Sequence, residues 1–216
     1  MTVTSTPGFT LPPLYPILVP SRVGAGTLAE SSEFARELVA GGARLLQLRE
    51  KEASAREILR LARELRRVLP KEVTLIVNDR ADLAVAAKAD GVHLGQDDLP
   101  AGAARRIIGE QRILGISTHN LQQLRWAQET SANYLAIGPV FHTISKDKPD
   151  PTIELEGVRQ ARASTPKPLV AIGGITLQNC QSVIEAGANS VAVIGELLRD
   201  PRKVTAQFLL KMAKLG

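Results

Sequence analysis

Cysteine occurs once in the 216 residues, at Cys180, so no disulfide can form within the chain. Its place in a helical stretch, 176–186, suits a small buried apolar residue better than a nucleophile, and a cytoplasmic location fits. Aromatic residues make up only 3% of the chain, and no basic segment interleaves them as single-strand nucleic-acid binders do. The net charge of +5 therefore points to anionic small molecules and not to nucleic acid. Long hydrophobic runs are also missing. The first charge is Arg22, and the apolar run 14–19 is short and broken by Pro16, which argues against both a signal peptide and a membrane span. The three histidines, His93, His119 and His142, lack the close spacing of a zinc motif, and no catalytic triad emerges. His119, two residues beyond Ser117, either lines a pocket, transfers a proton or is a hydrogen-bonded structural histidine.

What is present is rhythm. Short runs rich in Val, Ile and Leu predict strands at 15–19, 45–49, 73–78, 91–94, 113–117, 134–137, 169–172 and 190–194. Amphipathic stretches lie between them; in 53–69, Ile58, Leu61, Leu65 and Leu69 recur at helical spacing. Several helices end in the same punctuation, Gly41-Gly42-Ala43, Ala89-Asp90-Gly91 and Ala186-Gly187-Ala188, where glycine suits a left-handed cap. Eight parallel units in about 200 residues predict an α/β fold, a single (β/α)₈ TIM barrel over residues 14–216. Residues 1–13, with four Thr, three Pro and no charge, predict an extended, flexible N-terminal tail. The densest basic group, Arg60, Arg63, Arg66 and Arg67, shares a helix with Glu57 and Glu64 and reads as a solvated face.

In such a barrel chemistry sits at the carboxyl ends of the strands, and polar residues are dense there. Period-2 alternation puts Gln47, Arg49 and Lys51 on one side of the second strand and its extension, aimed at one anion. Asn78-Asp79 follows the third strand and Gly95-Gln96-Asp97-Asp98 the fourth, and two carboxylates at adjacent strand mouths suit magnesium sharing a substrate diphosphate. Capping is the competing role: Asp79 for the next helix, Asp97 or Asp98 for the helix begun by Pro100. After the sixth strand, Thr143, Ser145 and Lys146 are phosphate-friendly, and residues 143–151 read either as a mobile lid or as a structural loop. Gly173-Gly174 after the seventh strand and Ile194-Gly195 at the end of the eighth present bare backbone, where this fold often binds phosphate.

Together these motifs, with Gly138-Pro139-Val140-Phe141 and Ser117-x-His119, resemble the thiamine-phosphate synthase family from residue 14 to about 198. The resemblance implies coupling of hydroxymethylpyrimidine diphosphate to thiazole phosphate with release of pyrophosphate, with Mg2+ as cofactor and small-molecule substrates as the partners. It implies that Gln47, Arg49, Lys51, Asn78 and Lys146 hold the diphosphate, Asp79 and Asp98 the metal, and Ser117 the pyrimidine. Thr143, Ser145 and the backbone of Gly174, Ile194 and Gly195 would hold the thiazole phosphate. Of these, Arg49, Lys51, Lys146 and Ser117 would be catalytic. Two departures stand out: Gly195 replaces a common serine, and Pro20-Ser21 a frequent Thr-Asp pair. A thiazole tautomerase of similar design and a non-catalytic phosphate-binding paralogue are the competing functions.

Overall fold

The computed structural model describes residues 9–143 and 150–213. Eight parallel strands close into a barrel in chain order, the first pairing with the last. They are β1 (Leu14–Leu18), β2 (Leu45–Leu48), β3 (Thr74–Asn78), β4 (Gly91–Leu94), β5 (Ile113–Thr118), β6 (Tyr134–Ile137), β7 (Leu169–Ile172) and β8 (Ser190–Val193). Around them lie α1 (Leu28–Ala40), α2 (Ala55–Val68), α3 (Ala81–Ala86), α4 (Ala101–Ile108), α5 (Leu121–Gln128), α6 (Glu154–Ser164), α7 (Cys180–Glu185) and α8 (Pro201–Ala213). The expected (β/α)₈ barrel is the observed fold.

Strand alternation divides the core in two. Outward residues such as Leu46, Leu48, Leu75, Val77, Val92, Leu114, Val191 and Val193 pack beneath the helices, whereas Tyr15, Ile17, Leu45, Ile76, Ile113, Tyr134, Val170 and Ala192 fill the barrel. Because both faces are covered, the strands read as nearly unbroken apolar runs. Most strand limits fall within one residue of expectation; Arg49 lies just past β2, although its N–H still donates to the Leu18 carbonyl at 2.9 Å.

Helix α2 starts later than expected because Ser54 caps it: its hydroxyl accepts from Glu57 N while Glu57 reaches back to Ser54 N. That engagement takes Glu57 away from the arginines. Arg66 also departs from the solvated-face reading. Its guanidinium turns into the α2–β3 connection, donating to the Val73 carbonyl at 2.9 Å and pairing with Asp90 at 2.8 Å, whereas Arg60, Arg63 and Arg67 are exposed.

Two glycine punctuations take the expected left-handed backbone, Gly42 at φ 106° and Gly187 at φ 110°. The third is different. Lys88 carries the positive φ of 56°, and Gly91 is instead the first residue of β4, where an added methyl would lie 2.7 Å from Ile113 Cβ. The extended-tail expectation for 1–13 is corrected at its inner end. Leu11 is buried with the barrel-interior residues, Phe9 packs beside them, and the Pro13 carbonyl accepts from Val191 N. Apolar side chains at the amino-terminal mouth gain more from covering it than from solvation. Cys180 is buried at the start of α7, which is shorter than the expected 176–186. Among the described residues no helix is long and apolar enough to cross a membrane.

Candidate active site

The interior of the barrel carries a polar chain that leads upward to the strand ends. Gln47 Nε2 donates to the Tyr15 hydroxyl at 2.9 Å, which lies 2.9 Å from the Tyr134 hydroxyl. Tyr134 lies 2.9 Å from His93 Nδ1, and His93 Nε2 lies 2.7 Å from Ser117 Oγ. Gly115 makes room for this chain, since a methyl group there would overlap the Tyr134 ring and crowd His93 Nδ1 at 2.6 Å. Burial pushes both tyrosine hydroxyls well above the ordinary phenol range.

Burial also pushes the His93 imidazole down to about 4, against a smaller opposing pull from the Asp98 charge. The unfolded chain takes up a proton near 6.5 while the folded chain resists until about 4, so this stabilisation is complete above 6.5 and is lost as pH falls through that window. The stability of wild type minus that of a His93→Gln variant should therefore drop by roughly 2.5 kcal/mol between pH 7 and 4.5 in urea titrations. A difference that does not move with pH would contradict a neutral buried imidazole.

Above this chain the carboxylates meet. Asp79 sits at the centre of a three-residue turn: Arg80 N donates to the Asn78 carbonyl at 2.7 Å, and Asp79 has φ 63°. A β-carbon in that region is strained, and strain of this kind persists where the surroundings hold it. Here the Asp79 N–H donates to the His93 carbonyl at 2.8 Å and fixes the turn to β4. Lys51 Nζ approaches Asp79 Oδ2 at 3.8 Å, and Asp98 Oδ2 accepts from Gly95 N at 2.6 Å.

Burial, a hydrogen bond with Asp98 and the Asp98 charge together raise the Asp79 carboxyl to about 6, although Lys51 and Arg49 pull the other way. The two carboxylates lie close enough to share a hydrogen bond. Their oxygens could hold a dication, and among the described residues no third His, Cys, Asp or Glu joins the pair. A hard ion that keeps waters and takes phosphate oxygens, such as magnesium, suits so sparse a donor set. The capping alternatives are ruled out: the N-caps of α3 and α4 are Arg80 and Pro100, and neither helix has a side-chain cap.

Gln47 faces the interior, 2% exposed, one layer beneath Arg49. The Arg49 guanidinium is half-buried and makes no hydrogen bond to a described residue, while its charge reaches Asp79. Asn78 ends β3 beside them, and Gln96 Nε2 donates to the Ser117 carbonyl at 2.6 Å, tying the β4 loop to β5. His119 is held in structure: the Gly138 carbonyl 2.9 Å from its Nδ1 can only accept, so Nδ1 carries a proton, and the Asp150 carboxylate is 3.5 Å away.

The β6 and β7 loops interlock through Phe141 N donating to the Gly173 carbonyl at 3.0 Å. Gly174, at φ 63°, lies so near His142 and Phe141 that an added methyl would strike them, and Asn179 Nδ2 donates to its carbonyl at 3.0 Å. Ile194 precedes a short 3₁₀ turn begun by Gly195, at whose Cβ position nothing lies within 4 Å. Thr143 is half-buried next to these loops in the chain. Ser145 and Lys146, with most of the loop read as a lid, lie outside the described residues.

A sequence-family description for thiamine monophosphate synthase matches residues 14–197, which takes in all eight strands. The chain belongs to that family. It is 56% identical to the thiamine-phosphate synthase of Koribacter versatilis, covering 94% of this chain and 96% of that one. It is 43% identical to the thiamine-phosphate synthase of Moorella thermoacetica, covering 84% and 86%. Among solved structures, thiamine phosphate pyrophosphorylase from Pyrococcus furiosus superposes with a TM-score of 0.84 at 34% identity, covering 94% and 97%. Sequence reasoning about this thiamine monophosphate synthase family member had passed over the interior chain of Tyr15, Tyr134 and His93. The signal was available: all three occupy inward positions in strands, where a polar side chain needs a partner.

Proposed function

We propose that this thiamine monophosphate synthase family member is a transferase that joins hydroxymethylpyrimidine diphosphate to thiazole phosphate, yielding thiamine phosphate and pyrophosphate. The observation that carries this reading is the meeting of Arg49 and Lys51 with the Asp79–Asp98 pair at one place on the rim. No nucleophile from the enzyme is needed. The bond between the pyrimidine methylene carbon and the diphosphate oxygen breaks first, and its electron pair leaves with the diphosphate. The thiazole nitrogen then forms the new C–N bond with its lone pair.

Arg49 and Lys51, with Asn78 beside them and Lys146 from the β6 loop, hold the departing diphosphate and stabilise its growing charge. Magnesium held by Asp79 and Asp98 supplies further positive charge to that group when bound. Ser117 meets the pyrimidine. Thr143, Ser145 and the backbone of Gly174, Ile194 and Gly195 receive the thiazole phosphate, as N–H groups near a helix start suit an anion.

Purified protein given both phosphorylated substrates and magnesium should form thiamine phosphate and pyrophosphate in equal amounts, and a chelator should stop both. Isomerised thiazole phosphate alone would point to a tautomerase, and binding without any product to a paralogue that no longer catalyses. The open space at Gly195 gives a gain-of-function prediction: Gly195→Ser fits without a clash. Its added hydroxyl should lower KM for thiazole phosphate several-fold, the scale of one hydrogen bond worth about 1 kcal/mol, with kcat little changed. An unchanged KM in steady-state kinetics would place that phosphate elsewhere.

A further inference from the structure

The interior hydrogen bonds have a direction, and it can be worked out by counting protons. Gln47 Nε2 can only donate, so the Tyr15 oxygen accepts from it. The single Tyr15 proton must then go to its other neighbour, the Tyr134 oxygen. Tyr134 in turn has one proton and one remaining partner, His93 Nδ1, which therefore accepts. An imidazole that accepts at Nδ1 carries its proton on Nε2, and that proton faces Ser117 Oγ. The Ser117 hydroxyl proton is then left without an acceptor among the described residues. Doubly protonated His93 fails the same count: it would force Tyr134 to donate back to Tyr15, whose own proton would then face only donors.

From this order we infer that Tyr15 and Tyr134 are positioning residues: they hold His93 as its Nε2–H tautomer, so that the Ser117 hydroxyl proton is kept for donation to substrate. The site then offers a ready donor to an acceptor atom, such as an unprotonated ring nitrogen of the pyrimidine. The assignment to pyrimidine rests on the function proposed above; the proton order does not. The enclosure favours a fixed order, because Tyr15 and Tyr134 are 1% and 0% exposed and no bulk water competes for their protons. Gly115 supports the same geometry, since any side chain there would push Tyr134 off His93.

The test is nitrogen NMR of protein labelled with ¹⁵N-histidine, with the His93 signals assigned by their loss in His93→Gln. The expected pattern is an unprotonated Nδ1 and a protonated Nε2. The reverse pattern would mean the Gln47 amide is turned over and the chain runs the other way, which overturns the proposal. Tyr134→Phe removes the donor to Nδ1 and should mix the two tautomers, while raising KM for the pyrimidine diphosphate roughly tenfold, the scale of one disrupted buried hydrogen bond. KM for thiazole phosphate should stay unchanged. A merely structural tyrosine would lower stability without moving the tautomer or splitting the two KM values, and that result also overturns the proposal. Should Tyr134→Phe fail to fold, Tyr15→Phe breaks the chain one link earlier and carries the same expectations. An Nε2–H His93 in a protein that makes no thiamine phosphate would support the proton order and overturn the proposed reaction.

Discussion

Arg49→Ala should lower turnover by at least ~10²-fold, the scale for removing one preorganised electrostatic group from the charge that develops in a transition state. The side chain is well placed for that role and for little else. It leaves the barrel one residue after β2, is half-buried, and makes no hydrogen bond to a described residue. Its charge nevertheless reaches Asp79. Stability should therefore change by no more than about 0.5 kcal/mol, as for a substitution that breaks no internal contact. Single-turnover rates and urea midpoints measured on the same preparation decide the matter: near-normal turnover would remove Arg49 from the leaving-group site.

Asp79→Asn should likewise cut turnover at least ~10²-fold and abolish the response to magnesium, because an amide is a poor substitute for a charged ligand. Its effect on the metal-free protein should have the opposite sign. The folded-state pKa of Asp79 is raised to about 6 from 3.8, so any benefit of the protonated acid is present below 3.8 and lost as pH rises through 6. Above pH 6 the wild type holds a partly buried charge beside Asp98 that asparagine does not have. Asp79 is partly open to solvent, so the gain is discounted to about 1 kcal/mol, or a few degrees in melting temperature. Asparagine also accepts the positive φ of this turn. Without metal the variant should melt above the wild type at pH 7.5, and magnesium should raise the wild type alone. A variant that melts below the wild type in chelator would show that Asp79 stabilises the fold instead of straining it.

The barrel was legible because each strand is covered on both faces, which leaves short apolar runs separated by amphipathic helices. The carboxylates were legible for a related reason: Asp79 follows one such run directly and Asp98 closes the short loop after another, and acids at strand mouths stand out. The interior chain was not. Tyr15, His93 and Tyr134 look like ordinary members of apolar runs until closure brings β1, β4, β5 and β6 around one axis, and a single sequence does not state the register that aligns them. Local chemistry misled in smaller ways. Arg66 has the spacing of a solvated arginine, yet the carbonyls of the α2–β3 connection capture it. Gly91 looks like a helix cap, yet it serves the close approach of β4 and β5, and Lys88 takes the strained conformation. Phe9 and Leu11 sit in a stretch with the composition of a tail, and only the open mouth of the barrel gives them a surface to cover.

That cover has a consequence of its own. Among the described residues, Phe9 against the Tyr134 ring and Leu11 in the same cluster as Tyr15 close the column of hydroxyls from below, and the column leads up to Ser117. Exchange of those hydroxyl protons with deuterium in the solvent should therefore slow when substrate covers Ser117.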